Sequence, residues 1–205
     1  MLAEIWPQIS TQFLAQSGWE LLAVALGLAY VILAARESVW CWPSAFASTA
    51  IFTLLFWQGM LPMQAILHLF YLAMAVYGFM LWRRQEKPQD NLHIHFWPWR
   101  YHLFYILIGT FFTFALGGLL SLFDASQKPY LDAFVMVFSI FNTFLMARKV
   151  LENWLYWLVI DAAAMMLYWQ TGYLLTALMM ALYLGLALYG LWNWLKLYRQ
   201  QIARA

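Results

Sequence analysis

Two stretches of the chain, FWQGMLPMQAILHLFYLAMAVYGFMLW at 56–82 and YWQTGYLLTALMMALYLGLALYGLWNW at 168–194, lie over each other without a gap at an offset of 112 residues. Extending the superposition to 33–82 on 145–194 gives fifteen identities in fifty positions. Among them are Arg36/Arg148, Trp42/Trp154, Trp57/Trp169, Gln58/Gln170, Tyr71/Tyr183, Tyr77/Tyr189, Gly78/Gly190 and Trp82/Trp194. An apolar composition explains shared leucine and alanine but not tryptophan: chance aligns roughly 0.2 Trp pairs over such a window, and three align. The sequence reads as an internal duplication.

What is duplicated follows from composition. Of 205 residues 65% are hydrophobic and only 10% charged, too few charges to cover a water-soluble domain of this size. Seven apolar stretches, near 19–35, 39–57, 61–82, 102–123, 131–147, 151–170 and 173–195, approach the roughly 20 helical residues that cross a hydrocarbon core. Backbone groups in lipid must pair internally, and these stretches are too long and too uniformly apolar for barrel strands. The expectation is an all-α integral membrane protein with seven transmembrane helices, the stretch at 39–57 having a re-entrant alternative. The N-terminus, MLAEIWPQIS, lacks the basic start of a secretory leader, so no cleaved segment is expected. Cys41 is the lone cysteine, which excludes an internal disulfide and argues against a thiolate metal site.

Basic residues set the expected orientation. With the N-terminus outside, Arg36, Arg83, Arg84, Lys87, Arg100, Arg148, Lys149, Lys196, Arg199 and Arg204 fall on the cytoplasmic side and Lys128 alone falls outside. A net charge of +2 hides this sidedness, and no basic patch interleaved with aromatic residues suggests nucleic acid. Each copy holds three helices, an odd number that would leave the second copy inverted, and the span between the copies restores its direction. The plan is therefore 3+1+3: a periplasmic segment at 1–18, a first triple-helix bundle at 19–82, and a cytoplasmic loop at 83–101. A linking helix at 102–123, a second bundle at 131–195 and a cytoplasmic tail at 196–205 complete it. The bundles are expected to be parallel, related by a pseudo-two-fold axis along the membrane normal as in the SWEET transporters, with one site between them for alternating access.

Differences between the copies point to that site. Cys41, Ala45 and Thr49 of the first copy become Asn153, Trp157 and Asp161 in the second. Trp154, Trp157 and Asp161 follow at i, i+3 and i+7 and share one helical face. An ionisable residue inside a span is costly and marks a candidate functional site; the plainer alternative is a structural hydrogen bond to a neighbouring helix. In the last span Tyr183, Gly190, Asn193 and Trp194 share a face bordered by Tyr189, while Trp57 and Gln58 are the first-copy counterparts of Trp169 and Gln170. Indole walls, one carboxylate and amides from Asn153, Gln170 or Asn193 suit a flat cationic ligand with hydroxyls. Trp6, Trp19, Trp97 and Trp99 read instead as interfacial anchors, and Trp40, Trp42 and Trp82 also lie near span ends.

The run RKVLENWLYW at 148–157, the following QTGY and the terminal ALYG…W closely resemble the PnuC family of bacterial vitamin transporters over essentially the whole chain from about residue 19. The chain departs from that pattern in its short N-terminus and in CWPSAFAST at 41–49. The resemblance implies an inner-membrane protein that takes up nicotinamide riboside by facilitated diffusion, a cytosolic kinase trapping the vitamin by phosphorylation. It also implies a substrate site formed by Asn153, Trp154, Trp157, Gln170, Tyr183 and Asn193, and it favours a homo-oligomer. Thiamine is the second candidate, because it too presents a flat cationic ring, and uncharged riboflavin is the third. A proton-coupled carrier using Asp161 or His68 is the mechanistic rival.

Other chemistry is poorly supplied. His93 and His95 form a His-x-His with His102 nearby, but no Asp, Glu or Cys stands at convincing ligand spacing. There is no catalytic triad pattern, glycine-rich phosphate loop or H-E-x-x-H. The expectation is a transporter rather than an enzyme, with no cofactor.

Overall fold

Apolar runs of this length satisfy their backbone in lipid only by coiling, and the computed structural model, which describes residues 2–58, 62–83 and 93–203, is helical almost throughout. Among the described residues there are eight helices: α1 (Leu2–Leu14), α2 (Gly18–Ala35), α3 (Cys41–Gln58), α4 (Pro62–Arg83), α5 (Trp99–Leu122), α6 (Pro129–Ala147), α7 (Asn153–Gln170) and α8 (Leu174–Ile202). Helix α2 opens with a capping box: the Ser17 hydroxyl accepts from the Glu20 N–H at 3.2 Å while the Glu20 carboxylate accepts from the Ser17 N–H. Helix α3 is unbroken, and its Pro43 sits in the first turn, where a missing N–H costs nothing.

The expected spans differ from these helices mainly at their ends. Helix α1 occupies a segment for which no element was expected, and α5 starts at Trp99 rather than 102. Helices α3 and α7 each start two residues late because 36–40 and 148–152 form turns. Helix α8 continues seven residues past 195, since Lys196 and Arg199 extend a helix as readily as leucine does. By length and composition α2, α5, α6 and α8 are apolar enough to cross a membrane. Helices α3, α4 and α7 dilute their apolar runs with Ser48, His68 and Asp161.

Helix α3 packs against both α2 and α4, and α7 against both α6 and α8. The two sets meet along α2–α8 and α4–α6, α5 lies on α6, and α1 rests on α8. The offset of 112 carries α3 onto α7 at both ends, the last residue of α2 onto the last of α6, and the first residue of α4 onto the first of α8. The turns also correspond. Arg36 and Arg148 close their helices, followed by Glu37 (φ 57°) and Lys149 (φ 56°), both non-glycine residues in the left-handed region.

At the end of the molecule bearing these turns, four indoles form the core. Trp42 meets Trp82 edge-on at 5.5 Å, Trp154 meets Trp194 edge-on at 5.6 Å, and Trp82 and Trp194 face each other at 6.2 Å. Each outer indole fills a notch opposite a glycine: a β-carbon at Gly78 would strike the Trp42 ring, and one at Gly190 the Trp154 ring. In lipid, apolar faces gain nothing merely by leaving solvent, so close approach at such notches is what joins helices. Trp82 Nε1 donates to the Ala147 carbonyl at 2.9 Å and Trp194 Nε1 to that of Ala34 at 3.0 Å, each crossing from one bundle to the other. Trp42 and Trp82 are thus packing residues rather than anchors. Trp6, Trp19 and Trp99 are exposed, as a belt requires. Trp97 corrects that grouping: it is half-buried against Tyr101 and His102, and its backbone N–H donates to the Glu152 carboxylate.

Candidate functional site

Asp161 stands near the midpoint of α7, about 12 Å along the helix from Asn153. It is 8% exposed, and no hydrogen-bond donor or cation partners it among the described residues. It lies near the hydroxyl of Tyr183, which stands close to the midpoint of the membrane-length part of α8. That hydroxyl and Ser48 Oγ of α3 both crowd Gly27 of α2, lying 3.2 and 3.4 Å from where a β-carbon would stand. Tyr30 of α2 lies near both Tyr183 and Tyr71. The Tyr71 hydroxyl of α4 lies close to Ser139 of α6, and its ring meets His68, which also packs against Phe52 and Phe56. A layer of hydroxyls with one carboxylate therefore lies at mid-height along the seam between the bundles. The two contacts are reciprocal at the 112-residue offset: Tyr71 reaches Ser139, and Tyr183 reaches Gly27.

The structure distributes the ten sequence-predicted residues unevenly. Asp161 and Tyr183 come together in this layer. Trp157, half-buried, packs against both hydrophobic cores one turn nearer the indole cluster. Trp154 is only 1% exposed, so in this conformation it presents no free ring face to a ligand. Asn153 is fully buried, its Nδ2 donating to the Val150 carbonyl at 2.6 Å and its own carbonyl accepting from Asn142 Nδ2 at 2.9 Å. Asn193 Nδ2 donates to the Ala35 carbonyl at 2.8 Å and so joins the bundles instead of facing the layer. Tyr189 packs on the indole core. Trp57, Gln58 and Gln170 are exposed at the opposite helix ends, Gln170 being about 13 Å along α7 from Asp161. Helical faces bring residues into line but do not bring distant turns together.

Sequence reading missed Tyr30, Ser48, Tyr71 and Ser139. Tyr71 carried a usable signal, being the matched counterpart of Tyr183. The buried Trp42 Nε1, Trp154 Nε1, Asn142 Oδ1 and Asn153 Oδ1 lack hydrogen-bond partners, which is unusual for interior polar atoms. Among the described residues no group of three His, Cys, Asp or Glu side chains is arranged to hold a metal. His102 instead bridges Tyr156 OH (2.8 Å) and Glu152 (3.1 Å), fastening the start of α5 to that of α7.

Two sets of packed helices, several of them long and apolar enough to cross a membrane, with a polar seam between them, describe a multi-pass membrane protein. Residues 17–196 match the nicotinamide mononucleotide transporter family, and the chain belongs to it. It is 29% identical to the riboflavin/roseoflavin transporter RibM of Streptomyces davaonensis over 82% of this chain and 80% of that protein. It is 25% identical to the nicotinamide riboside transporter PnuC of Escherichia coli over 91% of this chain and 88% of that one. The crystal structure of the vitamin B3 transporter PnuC shares the fold, with a TM-score of 0.73 and 21% identity over 97% of this chain and 90% of that chain.

Proposed function

We propose that this chain carries nicotinamide riboside across the bacterial inner membrane by facilitated diffusion, through alternating access of two parallel triple-helix bundles. The observation that carries the substrate reading is Asp161, a buried carboxylate beside Tyr183 with no partner among the described residues. A buried charge needs a counter-charge, and the pyridinium ring of the riboside supplies one while its ribose hydroxyls meet Tyr30, Ser48, Tyr71 and Ser139. Trp157 closes the site from the indole side. Asn153 and Trp154, with their unpaired atoms, join when the bundles rock apart.

In this reading all of α2–α4 and α6–α8 cross the bilayer, α5 links them, the N-terminus lies outside and the C-terminus is cytoplasmic. The matching helix ends and the reciprocal Tyr71 and Tyr183 contacts support the 3+1+3 plan. Diffusion alone only equalises concentrations, so a cytosolic vitamin kinase draws the substrate inward.

Riboflavin is the second reading, favoured by the 29% identity to a riboflavin transporter. Calorimetric titration of the purified protein with nicotinamide riboside, thiamine and riboflavin separates them. Binding of the riboside, weakened on replacing Asp161 with asparagine, is expected. Riboflavin binding that ignores this substitution would transfer the assignment to the flavin.

A further inference from the structure

Every described polar link between the two bundles lies at mid-height or at the end bearing the α2–α3 and α6–α7 turns. At that end Trp82 donates to the Ala147 carbonyl and Trp194 to that of Ala34 across the seam, Asn193 donates to Ala35, and Arg148 Nε donates to Tyr77 OH at 3.0 Å. One component differs in kind. Lys149 Nζ lies 2.6 Å from Glu37 Oε1, with the ammonium 4.8 Å from the Trp82 ring centre and the lysine side chain only 3% exposed. Glu37 and Lys149 are 112 residues apart, each the left-handed residue after a helix-closing arginine. The same charge in both copies would place like charges opposite each other; a glutamate in one and a lysine in the other makes a pair.

We propose that Glu37 and Lys149 form a charge latch that closes this end of the transport pathway, released when the bundles rock apart. The inference rests on the alternating-access reading above. A buried ion pair suits this role because desolvation offsets much of its attraction. It therefore fixes which surfaces meet without welding them, whereas either charge alone is strongly disfavoured in the closed seam. Beneath the latch lies Cys41, the chain's sole cysteine, fully buried and near enough to sense the Lys149 charge. Opening of this end uncovers its thiol.

The test is the rate at which N-ethylmaleimide modifies Cys41 in the full chain reconstituted in liposomes, with riboside uptake measured in parallel. The single variant Glu37→Gln removes the carboxylate and leaves the Lys149 charge in the closed seam, so it is expected to label roughly tenfold faster than wild type, the shift given by about 1.4 kcal/mol in the opening equilibrium. The reversed variant Glu37→Lys/Lys149→Glu restores a pair and should label slowly again. A folded Glu37→Gln variant that labels at the wild-type rate overturns the latch, as does a reversed variant that labels as fast as Glu37→Gln. Should Glu37→Gln fail to fold, Lys149→Met, which strands the Glu37 charge instead, takes its place with the same two outcomes. Wild-type protein that carries no riboside while the labelling pattern holds would remove the substrate assignment and leave the latch standing.

Discussion

A carboxylate in the middle of an apolar helix is the most legible residue in this chain, and none of the described residues partners it. Asp161→Asn keeps the shape and removes the charge, so it should weaken riboside binding by roughly 1.5–3 kcal/mol, the range for a hydrogen bond to a charged group, with the thermal unfolding midpoint little changed. Isothermal titration checks the first expectation and thermal unfolding in detergent the second; unaltered affinity would return Asp161 to a structural role. The proton-coupled alternative makes a separate demand. If Asp161 carried a proton, an inward pH gradient would drive accumulation in proteoliposomes, whereas facilitated diffusion predicts the same plateau with and without it. Trp154 shows where residue-level reading fails. Its spacing from Asp161 placed both on one face of α7, but spacing says nothing about the neighbour that fills that face, and here Gly190 admits the indole into a closed notch. Ser48 and Ser139 were illegible for a simpler reason: small hydroxyl residues in a membrane helix satisfy their own backbone as often as they face a cavity.

Helices α3 and α7 were readable almost to the residue because two matching stretches of sequence report each element twice. What it did not report was which tryptophans would pack. The notches give that answer a testable form. Gly78→Ala and Gly190→Ala each drive a methyl group into an indole, so each should destabilise the protein by roughly 1–3 kcal/mol, the usual penalty for overpacking. Gly185 on α8 and Gly118 on α5 have nothing within 4 Å of a β-carbon, and alanine there should be neutral or stabilising by up to about 1 kcal/mol. Thermal unfolding of the four variants in one detergent compares them directly, and equal midpoints for Gly185→Ala and Gly190→Ala would mean that the notch carries no packing energy. The seven-residue extension of α8 escaped the sequence reading because apolarity marks where a span leaves lipid, whereas a helix ends only where its backbone is capped.

At the scale of the whole molecule the argument turns on sidedness. The Glu37–Lys149 pair, the bond from Trp82 to Ala147, the pairing of His95 with Val150 and the bridge from His102 to Glu152 gather the α2–α3 turn, the end of α4, the start of α5 and the α6–α7 turn at one end. Gln12 marks the other end, its side chain accepting from the Leu175 N–H and donating to the Gly172 carbonyl, both at 3.0 Å. Arg36, Arg83, Arg100, Arg148 and Lys149 thus share an end in three dimensions as they did in the sequence count, while Lys128 lies between α5 and α6, away from them; Arg84, Lys87 and Arg204 are outside the described residues. Basic residues are retained on the cytoplasmic side during insertion, so this end should face the cytoplasm. Reporter fusions within 84–100 and at the C-terminus should both report cytoplasm, and a fusion within 124–130 should report periplasm. Because α5 alone separates the first of these sites from the third, that pair of fusions isolates the linking helix: if both reported the same side, α5 would not cross the bilayer, and a 3+1+3 plan, which needs an odd span between two like-oriented bundles, would fall.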